Sequence, residues 1–415
     1  MINQPNINHQ LIAFKQELTD ELSRILAYWA AITPDTENGG FYGKIDNDNK
    51  VAAEAPKGSV LNARILWTFS AAYNRKPDPL FMVMAKRAYQ YICDKFMDDE
   101  RGGVYWSVDY KGKPLDTKKQ VYAISFTIYA LSEFYRASGI EAAKRKAIDL
   151  FHLLVEKAYD PIKTGYFEAF TKDWQPIADL RLSDKDANEK KTMNTHLHVL
   201  EGYTNLYRIW PDNTLSEQIS SLLNNFFDHF IDYKTGHLAL FFDEDWNCKG
   251  DLISYGHNIE ATWLLLEAAE VIGDETSIQR IKEIAIKMAD ATIAGFDADG
   301  GLWYEYEPAT DHLIKEKHWW VQAEALVGFF NAWQISGDEK YLNIAINNWQ
   351  FIKNKILDKQ NGEWFWGINE NGDVMPGEDK AGLWKCPYHN SRACMEIGTR
   401  IYRMEGILKS NPLVE

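Results

Sequence analysis

Two kinds of hydrophobic pattern alternate along the chain. VYAISFTIYALSEFY, ATWLLLEAAEVIG and VQAEALVGFFNAW are apolar nearly all round, which predicts helices buried on every side. Between them run charged stretches such as EAAKRKAIDLFHLLVEKAY and SIQRIKEIAIKMADATI, whose single apolar face predicts surface helices. Breaks rich in turn residues, such as NRKPDP, PDN and SGDEK, separate each buried helix from the surface helix after it.

A second motif sets the period. A glycine turn flanked by aromatics and strand-like alternation appears as NGGFYGKID, RGGVYWSVD, KTGYFEAFTKDW, KTGHLALFFDEDW, DGGLWYEYEPATD and NGEWFWGINENGD. Measured from Gly39, Gly102, Gly165, Gly236, Gly300 and Gly362, the spacings are 63, 63, 71, 64 and 62 residues. Six units, each with one inner and one outer helix, predict an all-α (α/α)6 barrel, a single catalytic domain over residues 1–415. The first outer helix is expected at about Leu11 to Ile32. Every inner helix starts directly after a turn, so its first residues face one shared mouth. Six helix N-termini meet there and favour developing negative charge.

Composition narrows the partner. A net charge of -15 without any basic run argues against nucleic acid and anionic membranes. The N-terminal MINQPNINHQLIAF lacks the charged and apolar blocks of a secretory signal, and no apolar run is long enough to span a bilayer. Cys93, Cys248, Cys386 and Cys394 show no metal-ligand spacing and fit reduced thiols. A cytoplasmic monomer acting on a small molecule is expected, and 15 tryptophans suit sugar-stacking surfaces as well as a wide core.

The mouth collects titratable residues at the starts of greasy helices, which is costly unless they are paired or used. The inner helices bring Arg64, Tyr122, then Asn194, His196, His198 and Glu201, then His257 and Glu260, then Trp320 and Glu324. The last unit brings KAGLWKCPYHNSRACME, where Pro387 marks a helix start and puts Trp384 and His389 at the same end. His198 with Glu201 and His257 with Glu260 sit at i, i+3, so each carboxylate shares a face with its imidazole. His196 cannot share the His198 face and is expected to be structural, while His152, His229 and His237 have no assigned role. The two His-x-x-Glu pairs plus Glu324 also suggest a carboxylate-bridged metal, but the residue order is reversed from that of helical-bundle metal sites, and no metal is expected. No Gly-rich nucleotide fingerprint is visible, so no cofactor is expected either.

MNTHLHVLE, SYGHNIEATWLL, WWVQAEALVGFFNAW and above all KAGLWKCPYHNSRACME resemble the N-acylglucosamine 2-epimerase superfamily across essentially the whole chain. WKCPYHNSR is similar to the branch of that superfamily that acts on disaccharides. The resemblance implies inversion of C2 in the reducing-end glucose of β-1,4-linked disaccharides, cellobiose giving 4-O-β-D-glucosyl-D-mannose and lactose giving epilactose. It implies that His257 and His389 move the C2 proton and that His198 holds or protonates the enediolate oxygens. Arg64, Tyr122, Asn194, Glu260, Trp320 and Glu324 would surround the reducing-end sugar, and Trp384 would stack on the second one. Leu383 stands where many relatives carry Pro, a departure that removes no chemistry.

The rival readings are a monosaccharide 2-epimerase or aldose-ketose isomerase of the same superfamily, and a glycoside hydrolase on the same barrel. A hydrolase needs a carboxylate pair across the bond, into which Glu260 and Glu324 could be forced, but it leaves three histidines without purpose. The longer connection from Ala178 to Thr192, with RLSDKDANEKK at its centre, is expected to be a mobile flap over the mouth.

Overall fold

A computed structural model of the protein describes residues 4–404. In chain order its helices are α1 (Gln4–Ile32), α2 (Ser59–Arg75), α3 (Pro79–Tyr91), α4 (Val121–Ser138), α5 (Glu141–Lys157) and α6 (Met193–Tyr207). There follow α7 (Asn213–Asn225), α8 (Tyr255–Ile272), α9 (Glu275–Ile293), α10 (Trp319–Ser336), α11 (Glu339–Phe351) and α12 (Tyr388–Met404). Each even-numbered helix packs on the next, and α12 returns to α2 to close the ring. The odd-numbered helices lie outside, α3 on α2, α5 on α4 and so on round to α1 on α12. The chain is the (α/α)6 barrel that its periodicity predicts. Helix α1 begins before Leu11, because the segment QPNINHQ carries a single apolar residue, Ile7, too little to show a helical period.

Burial follows the two patterns. In α4 every residue from Val121 to Phe134 is buried, whereas α5 buries only Ala143, Ala147, Leu150, Phe151 and Leu154, one stripe at helical spacing. Neighbouring inner helices approach closely where a glycine allows it. A Cβ on Gly202 of α6 would stand 2.7 Å from the Ser125 carbonyl oxygen of α4, which no real side chain tolerates.

The glycine turns form an end collar. The two residues before an inner helix pair antiparallel with a strand of the following unit, Lys57–Gly58 with Ser107–Val108 and Lys119–Gln120 with Ala169–Phe170, continuing to Lys317–His318 with Gly367–Ile368. Ile45–Asp46 with Asp379–Ala381 closes the collar. Gly102 and Gly236 have φ of 72° and 78°, a region that strains other residues, so the repeat is written in glycine.

Each turn starts with an aspartate, and in five of the six units a buried lysine in the strand ahead of the inner helix reaches it. The pairs are Lys57–Asp35 (2.7 Å), Lys119–Asp98 (2.6 Å), Lys191–Asp160 (2.8 Å), Lys317–Asp297 (2.7 Å) and Lys380–Asp358 (2.5 Å). Unit four has Ile253 at the lysine position, and its Asp232 accepts from the Thr235 hydroxyl instead (2.8 Å). Each bolt ties the end of an outer helix to the start of the inner helix that carries site residues. Glu363 does the same for the last unit, taking Lys385 Nζ (2.8 Å), Asn390 Nδ2 (2.6 Å) and Trp29 Nε1 (2.5 Å).

Both side chains of the Lys119–Asp98 pair are fully buried. Lys119→Met therefore leaves an unpaired buried carboxylate and is expected to lower the unfolding free energy by ~3–5 kcal/mol in a denaturant titration. A change below ~1 kcal/mol would show that the bolts are dispensable.

Candidate active site

The mouth holds a cavity of about 440 Å³, ordinary for a small-ligand site. Arg64, Tyr122, Asn194, His198, His257, Glu260, Trp320, Trp384 and His389 all line it. Glu324 does not; it lies one layer below, against His389. His389 is the second residue of α12, at the helix N-terminus itself.

Three histidines share one arrangement. His198 Nδ1 bonds Glu201 Oε2 (2.8 Å), His389 Nδ1 bonds Glu324 Oε1 (2.7 Å) and His257 Nδ1 bonds Ser254 Oγ (2.8 Å). In all three, Nε2 is the ring nitrogen without a protein hydrogen bond among the described residues. His196 is different: Nδ1 meets the Thr192 carbonyl (2.7 Å) and Nε2 accepts from the Tyr166 N–H (2.8 Å), so both nitrogens are consumed. That is the structural role expected for it. Burial lowers His257 to about 3, assisted by His198, and takes His389 well below its ordinary value, assisted by Arg64 and Arg392. Burial lowers His198 as well, so the three imidazoles are neutral at pH 7. The Trp320 ring lies between two of them, its centroid 4.7 Å from His257 and 5.8 Å from His389.

Below the cavity sits a residue that the sequence reading did not single out. Arg392 Nη2 donates to Glu260 Oε1 and Glu324 Oε1 (2.7 Å each), while Nη1 donates to Glu201 Oε1, which also takes the Tyr388 hydroxyl. Its guanidinium lies over the rings of Tyr388 (4.3 Å) and Trp263 (4.7 Å). Burial alone would lift the Glu201 carboxyl, but Arg392 and His198 bring it down to about 2. Burial and then repulsion from Glu324 raise Glu260 well above the carboxylate range. Arg392 stands inside NSRACME near the start of an inner helix, where a guanidinium needs a partner just as Arg64 does.

Arg64 faces a different environment. Nη2 donates to the Tyr122 hydroxyl (2.7 Å), and the guanidinium lies over Phe126 (4.2 Å) and Tyr388 (4.8 Å). Among the described residues no carboxylate pairs with it, and its Nε has no partner. A buried cation with aromatic walls and no anion is suited to an anionic guest.

A metal or a hydrolytic pair would need the carboxylates. Ligand atoms of Glu260, Glu324 and His389 lie within 4.8 Å of one another, the one such cluster among the described residues. Arg392 Nη2 already donates to both glutamates, and of the two only Glu260 lines the cavity. The two acids thus stand side by side rather than across a bond.

The Ala178–Thr192 connection roofs the cavity with Leu180, Arg181, Leu182 and Lys185 among its lining residues. Gln120 Nε2 donates to the carbonyls of Leu180 (3.2 Å) and Arg181 (3.0 Å), and Asn188 bonds Ala178 and Leu180 across the loop (2.8 Å each).

With this geometry in hand the comparisons decide the family. The profile of the N-acylglucosamine 2-epimerase (GlcNAc 2-epimerase) family matches residues 40–393. The chain belongs to this family. Cellobiose 2-epimerase of Bacteroides fragilis is 51% identical over 384 residues, 92% of this chain and 98% of that one. D-mannose isomerase of Marinomonas mediterranea, a more distant relative, is 24% identical over 92% of this chain and 96% of its own. Among solved structures, a sugar epimerase from a ruminal bacterium has a TM-score of 0.90 at 39% identity, covering 93% of this chain and 99% of that one. Cellobiose 2-epimerase from Bacillus thermoamylovorans has a TM-score of 0.89 at 39% identity, with 94% and 99% covered. A GH76 α-mannanase shares the barrel alone, with a TM-score of 0.64 at 12% identity over 94% of this chain and 97% of its own.

Glu168 yields a test of the site's construction. Its buried carboxyl accepts from the Thr192 N–H (2.8 Å) and the Thr195 hydroxyl (2.6 Å) at the start of α6, and burial pushes it up to about 8 from 4.5. A raised folded-state value favours the protonated form, so the associated stability is full below about 4.5 and is lost as pH rises through 8. Glu168→Gln, neutral throughout, is expected to gain melting temperature relative to the parent between pH 5 and pH 8; a difference independent of pH would overturn the assignment.

Proposed function

We propose that the protein is a carbohydrate epimerase that inverts C2 of the reducing-end glucose in β-1,4-linked disaccharides, converting cellobiose into 4-O-β-D-glucosyl-D-mannose and lactose into epilactose. One observation carries the reading: three imidazoles whose Nε2 atoms have no protein partner among the described residues line the cavity that also holds a guanidinium with no carboxylate beside it among those residues. The names of the relatives at 35–51% identity, all cellobiose 2-epimerases, support the substrate class.

The chemistry follows from those groups. A glucose ring must first open, so that C1 becomes a carbonyl and the C2 hydrogen becomes acidic. One of His257 and His389 takes that hydrogen as a proton on Nε2, leaving negative charge shared between O1 and O2. Arg64 and the converging helix N-termini stabilise the charge, and His198 holds or protonates the oxygens. As the intermediate turns, the other of the pair takes up a proton from solvent on its Nε2 and delivers it to the opposite face, and the first releases its own proton to solvent. Tyr122, Asn194, Glu260 and Trp320 surround the reducing-end sugar, Glu324 acts through His389, and Trp384, 5.6 Å from Trp106 at the rim, stacks on the second sugar.

His257→Ala and His389→Ala are each expected to lower turnover of cellobiose by ~10²-fold to 10⁴-fold. Product NMR in D2O is expected to show a mannose-ended disaccharide carrying deuterium at C2. Free glucose would instead identify a hydrolase, and a ketose end an isomerase.

A further inference from the structure

The three cavity histidines differ in what holds their Nδ1. His198 and His389 are tethered by carboxylates, His257 by a hydroxyl. Ser254 occupies the N-cap position of α8, where a serine side chain ordinarily accepts from the backbone N–H two or three residues on. Here it makes no capping bond at all. Thr192, at the corresponding position of α6, does cap, accepting from the Thr195 N–H (3.2 Å). Ser254 is 3% exposed, and its strand is paired with Glu305 on the neighbouring hairpin, so its backbone cannot drift. The hydroxyl has been diverted from the helix to a side chain.

We infer that Ser254 is a positioning residue for His257, holding Nδ1–H so that Nε2 is the atom that gains or loses a proton toward the cavity. The inference rests on the proposed epimerisation and deepens it. Glu324 performs the same service for His389 through a carboxyl group. The two imidazoles are therefore held by partners of different chemistry, and the two sides of the cavity are unequal. Trp320, in contact with both rings, keeps them apart. Because the hydroxyl caps nothing, its removal withdraws no backbone hydrogen bond from α8, and the consequence falls on the imidazole.

The test uses Ser254→Ala and Ser254→Thr in the full chain, with each epimer of the disaccharide supplied in turn in D2O. Ser254→Ala is expected to lower kcat about 10- to 100-fold, the usual size for a lost orienting partner, with KM within about twofold. Its melting temperature should stay within about 2 °C of the parent. Exchange of the C2 hydrogen should fall for one epimer and persist for the other, because only the face served by His257 is affected. Ser254→Thr, which keeps the hydroxyl, should recover activity to within about threefold. Unchanged kcat in Ser254→Ala, equal loss of exchange from both epimers, or failure of Ser254→Thr to recover would overturn the inference. A parent chain that leaves the C2 hydrogen in place would remove the epimerase reading itself, and this one with it.

Discussion

Arg392 reaches from α12 to carboxylates on α6, α8 and α10, so one guanidinium ties four of the six inner helices together beneath the cavity. Three buried acids this close would repel one another strongly in a low-dielectric interior. Buried ion networks repay their desolvation only when every charge is also hydrogen-bonded. Here Trp263 and Tyr388 supply further donors to Glu324 and Glu201, while Glu260 Oε2 and Arg392 Nε have no partner among the described residues. The floor then does a second job, because two of its acids also hold histidines. Charge compensation below and imidazole orientation above belong to a single network.

The upper layer is built on the opposite principle. Arg64 meets aromatic faces, a tyrosine hydroxyl and the Cys386 sulfur, and among the described residues no carboxylate quenches it. In a core otherwise so careful about its charges, such a group is the kind of local violation that functional sites retain. The contrast between a compensated arginine under the cavity and an uncompensated one beside it separates structure from chemistry more clearly than burial does, since both are almost fully buried.

The collar explains why such a layout can be held in place. Inner helices α2, α4, α6, α8 and α10 each follow directly on a paired strand, and in five units a buried lysine fastens the strand ahead of the inner helix to the turn before it. Side chains in the first turns thus inherit the rigidity of the collar, as pre-organised sites require. Unit four, which lacks the lysine, is also the unit whose histidine is held by a hydroxyl rather than a carboxylate.

Much of this was legible in the residues. Glycines at near-constant spacing, because only they accept the left-handed turn, mark six units; helices apolar on every side must be inner; and polar groups opening such helices must share a mouth. His196 could be set aside because residues two apart on a helix face different ways. Partnerships between helices were not legible. Nothing in the spacing of Glu260 and His257, which share a face of α8, indicates that the glutamate bonds Arg392 and that the histidine bonds Ser254. Nor does sequence distance hint that Glu324 serves His389, 65 positions away. Local periodicity is a property of one helix and can be read along the chain. Which side chains meet depends on how rotated and staggered helices close into a ring, and that is decided only when the whole core packs at once.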